Sequence, residues 1–540
     1  MKRLTAVAIT VILAMGFGSS AQSATTPKAG SACTKLNSTI KSSSGTLKCL
    51  IVGKKKVWVR SGASSNTSSN SSGSSSGPAS GSACSTIGAQ KALTSDSYLE
   101  CRYGAKAALT WIELNKTPRI GPLVASPTPI QECQIPEGVD PTKSQDGAMS
   151  HGFPLTNYMA SRYPAAGTIH IGILPVDFTD YPGETTLKTD LTATVDKLKR
   201  WFAYFSGGKV NLDVTYQTTW VHSDKKADYF DDQASYKNLD WWSAANKIGQ
   251  SYVDLAPEGY DFNKIGGLFV YHPKAQRTIH TDLVDINLAA QTKQGNHVID
   301  VHAAPAVLLE RGQEYASWVA HEMMHHVGIA GHAPGEGFPF NIMTDQNGWS
   351  QALSAWDQFL LGWLPSNQVY CVDKARISDQ TVEISPMERE DNGTKTIIVP
   401  IGPHQALVVD SHRAGTWTAG ANAGAHAYSG FYGVTVYRID TTKANDRSNE
   451  SNSGSSTQNG TNDTPQTDDG NNTHWSKFAY YMPVDGGASN PQYDWGNYSP
   501  GQKVAYKYTG VVGDSFTSDG VKFTFLKTGD QDTIKISLQK

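Results

Sequence analysis

The chain has 540 residues, 39% of them apolar and 18% charged, which is room for two to four domains. A formal net charge of −3 over that length argues against a basic nucleic-acid binder or a polybasic membrane-surface protein. Abundant Gly, Ser, Thr and Asn suit a loop-rich extracytoplasmic globular protein.

Residues 1–24 read as a secretory signal peptide. Lys2 and Arg3 precede an apolar run from Leu4 to Phe17, and small residues follow to Ala24. The expectation is a secreted, extracellular protein with no transmembrane anchor after cleavage, free or held at the cell surface. In that compartment six cysteines favour three disulfides, and none has the Cys-x-x-Cys spacing of a zinc ribbon or a redox motif.

Two copies of a small unit come next. Residues 28–60 carry Gly30-Ser31-Ala32-Cys33, then Cys49 and Trp58; residues 81–116 carry Gly81-Ser82-Ala83-Cys84, then Cys101 and Trp111. Units of this size bury little core, so a local disulfide staples each, Cys33 with Cys49 and Cys84 with Cys101. They resemble short repeats on secreted and surface proteins of bacteria, and either attach the protein to a cell wall or surface or act as passive spacers. Pairing them locally leaves Cys133 and Cys371 as partners; the rival role for Cys133 is a latency ligand on a metal. The Ser/Gly/Asn stretch 61–80 is a flexible linker, and prolines at 118, 122, 127 and 129 mark a second linker, 117–130.

Residues 131–365 alternate strand and helix patterns. Ile169, Ile171 and Ile173 alternate as a strand; Leu191, Val195, Leu198, Phe202 and Phe205 recur as one helix face. Val210 to Tyr216 and Leu268 to Tyr271 read as strands, and Trp241 to Leu255, Gln313 to Val327 and Ala352 to Trp363 as helices. This order predicts an α/β domain, helices packed on a mixed, mostly parallel sheet. Residues 366–540 read as a β-sandwich, with strands expected around 396–399, 406–409, 434–439, 504–508, 522–525 and 534–538. Its insert 445–473, rich in Asn, Asp, Ser, Thr and Gly, is a surface loop, or in the minority reading a Ca²⁺ loop without EF-hand spacing. Asp177 and Asp180 at a strand end allow a structural cation, though an ordinary turn explains them as well.

The chemistry is concentrated in His321-Glu322-Met323-Met324-His325-His326-Val327-Gly328-Ile329-Ala330-Gly331-His332. Residues four apart share a helix face, so His321 and His325 can present two imidazoles to one Zn²⁺. Glu322 beside the first ligand can take the proton of a zinc-activated water as general base. Gly328 suits the left-handed residue that ends a helix, which would let the chain return His332 as third ligand. His326, turned about 100° from His325, reads as a surface or packing residue.

The segment resembles the long metzincin signature, with His332 four rather than three residues after Gly328. Phe340-Asn341-Ile342-Met343-Thr344 resembles its Met-turn, which implies Met343 as the apolar floor beneath the metal; Asp345 stands where a tyrosine ligand would be. More closely, the chain resembles the immune inhibitor A family of secreted bacterial metallopeptidases. The matching segments are 173–180, the His-Glu-x-x-His helix, 353–364 and 433–440. The resemblance covers Cys133 to the C-terminus and implies a metzincin-like α/β catalytic domain and an endopeptidase acting on extracellular proteins or peptides. The competing expectations are a surface or wall-binding protein with an inert peptidase domain, and a zinc amidase acting on wall polymers.

Overall fold

Both N-terminal repeats fold as three-stranded antiparallel sheets around a disulfide. In the computed structural model, the described residues are 33–35, 38–42, 45–52, 55–60, 78–86, 89–103, 108–138, 151–155, 163–281, 283–292, 294–306, 314–329, 340–344, 346, 350–413, 417, 432–443, 481–484 and 509–539. The expected signal peptide, nearly all of the 61–80 linker and the 445–473 insert lie outside them. Contacts divide the chain into two compact units, Met1–Ser76 and Gly77–Lys540.

The first unit holds β1 (Thr39–Ser42), β2 (Gly45–Val52) and β3 (Lys55–Arg60), with Cys33 bonded to Cys49. The second begins with β4 (Gln90–Ala92), β5 (Ser97–Tyr103) and β6 (Leu109–Asn115), with Cys84 bonded to Cys101. Cys49 lies opposite Trp58 in one sheet and Cys101 opposite Trp111 in the other, so the sequence repeat is also a repeat of register. The second copy is fastened to the C-terminal part of its own unit. The Asp530 carboxylate accepts from Asn115 N at 3.1 Å, Asn115 Nδ2 at 2.6 Å and Arg119 N at 3.0 Å, and Gln531 Oε1 accepts from Gly121 N at 2.7 Å. Residues 117–130, expected as a linker, are thereby tied to the C-terminal strands.

The next elements are β7 (Gly167–Asp177), α1 (Leu187–Phe205), β8 (Val210–Tyr216), β9 (Val221–His222), α2 (Asp232–Ser235), α3 (Trp241–Leu255), β10 (Gly267–Tyr271), β11 (Leu283–Thr292), β12 (Gly295–Ala303) and α4 (Tyr315–Val327). The sheet runs β11-β12-β10-β7-β8, with β9 also on β7. All pairs are parallel except β11–β12, so the sheet is mixed. The β11–β12 hairpin is absent from the strands expected above. Its polar, Gln- and Asn-containing turn masks two short alternations, Ile286/Leu288/Ala290 and Ile299/Val301/Ala303. Successive strand residues point to opposite faces, which gives the sheet two cores. Ile169, Ile171, Ile173 and Phe269 pack with α1 and α4; Leu174, Val176, Leu268 and Val270 pack with α3. Burying side chains such as Leu191, Leu198 and Phe202 of α1 contributes about 1.5–3 kcal/mol each.

After α5 (Ala355–Leu360) come β13 (Val369–Cys371), β14 (Thr381–Ile384), β15 (Thr396–Gly402), β16 (Gln405–Arg413), β17 (Tyr432–Asp440), β18 (Tyr481–Pro483), β19 (Thr509–Gly510), β20 (Ser515–Ser518), β21 (Val521–Lys527) and β22 (Asp532–Leu538). α5 is shorter than the expected 352–363 helix. Ser354 caps it, and beyond Leu361 the chain turns through Gly362 at φ 66°. The expected strand 504–508 lies outside the described residues. Sheets β13-β15-β16-β17-β18, with β19 on β17, and β14-β22-β21-β20 enclose Ile397, Val409 and Val436 against Phe523, Ile534 and Ile536. The other face of the first sheet, through Ile398, Val408 and Tyr437, joins the core that holds α1 and α4. No division of cores falls at 365. The Cys133–Cys371 disulfide, spanning 238 residues, crosses the same junction. No helix among the described residues is long and apolar enough to cross a membrane.

Candidate metal centre

Every residue of α4 is buried, the signature of a helix apolar on all sides except where chemistry intervenes. Its N-terminus is anchored from outside. Gln351 Nε2 donates to Glu314 Oε2 at 2.8 Å and Ser317 Oγ at 2.6 Å, and Lys197 of α1 pairs with Glu314. Its C-terminus ends at Gly328, φ 111°. Gly328 N donates to His325 O at 3.1 Å and Ile329 N to Met324 O at 3.1 Å, the paired bonds of a Schellman motif. A side chain at 328 would be strained in that left-handed conformation.

His321, Glu322 and His325 are 2%, 4% and 5% exposed. The two Nε2 atoms are 3.1 Å apart, and one ligand atom from each of the three residues lies within 4.8 Å of the others. His321 Nδ1 lies 2.8 Å from Ile342 O. A carbonyl can only accept, so Nδ1 carries the proton and the Nε2 lone pair faces His325. Nitrogens 3.1 Å apart can both lie at the 2.0–2.1 Å of a Zn–N bond from one ion. The donor set therefore fits zinc.

Residues 341–344 form a tight turn against the helix. Asn341 Oδ1 accepts from Met343 N at 3.1 Å, Asn341 O accepts from Thr344 N at 3.0 Å, and Ile342 N donates to Ala352 O at 2.9 Å. Met343 is buried in the same core as the helix. His332, expected as third ligand, and Asp345 lie outside the described residues.

Of its two expected roles, His326 takes packing and not surface. It is fully buried, with its Nδ1 3.7 Å from Asp300 Oδ2 and its ring centroid 5.0 Å from that of His302. Sequence reading passed over Asp300 and His302, although Asp300-Val301-His302 places two donor side chains on one face of a strand. Asp177 and Asp180 hold a turn. Asp177 Oδ2 accepts from Gly183 N at 2.8 Å, Asp177 Oδ1 lies 2.6 Å from His222 Nδ1, and Asp180 Oδ1 accepts from Ala227 N at 2.9 Å.

No protein-family model matches the chain, and no curated protein matches it. Among solved structures, the crystal structure of metalloproteinase-II from Bacteroides fragilis is similar over 50% of this chain and 78% of that one, at 12% identity and a TM-score of 0.21. A likeness that slight defines neither the fold nor the activity. The structure itself is a mixed α/β protein with several sheets, few helices, three disulfides and buried groups of candidate metal ligands.

Proposed function

We propose that the protein is a secreted zinc-dependent endopeptidase of the immune inhibitor A kind, acting on extracellular proteins or peptides. The observation that carries the reading is the convergence of His321 Nε2 and His325 Nε2, 3.1 Å apart, with the Glu322 carboxylate in the same buried group. His321 and His325 would hold the ion, with His332 as third ligand and Met343 beneath. Bound zinc supplies Lewis-acid polarisation of a carbonyl and acidification of water.

The chain's own groups do the rest. Glu322 takes the proton of water as its oxygen adds to the peptide carbonyl carbon. It returns that proton to the amide nitrogen as the C–N bond breaks. The Ile342 carbonyl keeps His321 in the tautomer whose Nε2 is a donor of electrons, and the Gly328 turn redirects the chain beyond the helix. The N-terminal repeats either attach the enzyme to a wall or surface or act as passive spacers.

Zinc analysis beside a fluorogenic peptide assay tests the reading. Glu322→Ala retains zinc and loses turnover by about 10²-fold or more; His325→Ala loses both, and His332→Ala weakens zinc binding. An active Glu322→Ala protein overturns the mechanism. A His332→Ala protein with full metal and activity moves the third ligand elsewhere, with Asp345 the next candidate.

A further inference from the structure

Behind the His321–His325 face, a second set of donors converges between sheet and helix. Asp300 and His302 are two apart on β12, so both project to the face on which α4 packs. His326 comes from α4 itself. The three are 1%, 0% and 0% exposed, and one ligand atom from each lies within 4.8 Å of the others.

The surroundings set each donor. The His302 ring is stacked on Phe269, its register partner on β10, at 4.5 Å and 8°. The His326 and Tyr163 rings form a T-shaped pair with centroids 5.3 Å apart. Gly267 is the register partner of Asp300, and a Cβ at 267 would collide with Tyr163 Oη. Glycine there leaves room for the tyrosine hydroxyl.

We propose that Asp300, His302 and His326 form a second, structural site for a divalent transition ion, zinc by the chemistry of its donors. Two imidazoles and one carboxylate are borderline donors suited to zinc. Asp300 Oδ2 and His326 Nδ1, at 3.7 Å, are beyond hydrogen-bonding distance, yet a shared ion could sit between them. Because His326 adjoins His325, the ion would clamp β12 to the turn of α4 that carries the candidate catalytic residues. The site is independent of the peptidase reading, since it uses none of that centre's ligands.

The test is anomalous diffraction at the zinc edge on crystals of the full-length wild-type protein loaded with Zn²⁺. A peak between Asp300, His302 and His326 supports the proposal; no peak there at full loading overturns it. Metal counting gives a second arm. Folded His321→Ala/His325→Ala protein should keep one zinc, and folded Asp300→Asn protein should hold one fewer than wild type. Zinc-free His321→Ala/His325→Ala protein, or Asp300→Asn protein with the wild-type count, overturns the proposal. Wild type with a single zinc, unchanged in His321→Ala/His325→Ala, overturns the zinc role of His321 and His325 and leaves this site standing.

Discussion

The backbone carbonyl of Ile342 receives the Nδ1 proton of His321 at 2.8 Å, so a turn well downstream in sequence sets the tautomer of a residue on α4. The turn is itself held by a side chain of its own, Asn341 Oδ1 accepting from Met343 N.

Asn341→Ala should therefore loosen the carbonyl that orients His321 without removing any of the proposed zinc ligands. Outer-shell changes of this kind cost about 10–100-fold in metal affinity. Competition with a chromophoric chelator should show that loss for Asn341→Ala, and an affinity equal to wild type would separate the turn from the metal centre.

Acid should destabilise the fold through two interior histidines. Burial pushes His151 down to about 4, opposed by Glu137, and pushes His272 down to about 3, opposed by a bond to Ala304. Below the ordinary value of about 6.5 the unfolded chain takes up protons that the folded chain refuses. Their contribution is thus complete above about pH 6.5 and is lost as pH falls toward the folded values. The total is on the order of 3 kcal/mol for His151 and 5 kcal/mol for His272. His272→Phe, whose ring would meet Phe178 as the imidazole does, should flatten the fall in urea midpoint between pH 7 and pH 4. An unchanged slope would show that His272 does not govern it.

The two repeats should respond differently to truncation. Removing residues 1–76 deletes a unit with its own sheet and disulfide, and the melting temperature of the remainder should hold. Removing residues 1–116 also strips Asn115 from Asp530, leaving a partly buried carboxylate short of donors, and should lower it by several degrees. Equal melting temperatures would mean that the second repeat is only loosely seated. Peptide hydrolysis should survive both truncations.

Replacing Cys133 and Cys371 together by Ala should cost on the order of 2–5 kcal/mol, because the bond closes a loop of 238 residues and pins residues 130–133 to β13. Urea titration of folded protein reads the loss directly. A variant as stable as wild type would mean that packing alone fastens this junction.

The elements with strong periodicity were legible. α3 spans the same Trp241–Leu255 in sequence and structure, and the α1, β8 and β10 patterns fall on the expected residues. That His321, Glu322 and His325 come together on one helix was legible because helical spacing is local. His326 was not, since an angle on one helix does not say what packs there. Its surroundings come from β12, whose alternation is short and interrupted by the donors themselves. The continuity of core across residue 365 was hidden for a related reason. β15, β16 and β17 are apolar on both faces, and a run buried on both faces does not say which neighbour covers each.

That two-sided sheet bears on the order in which the chain is made. Asp410 of β16 accepts from Ala355 N at 3.1 Å and Tyr437 Oη of β17 at 2.9 Å, and Tyr437 packs in the core shared with α4. The helix with His321 and His325 leaves the ribosome long before the strands that complete its surroundings. Until β17 arrives, α4 is an apolar helix without its full cover, so this part of the chain can finish folding only late. Synthesis stopped at the end of α5 would release a helix that has its histidines but lacks one wall of its housing, a species prone to aggregate rather than a minimal enzyme.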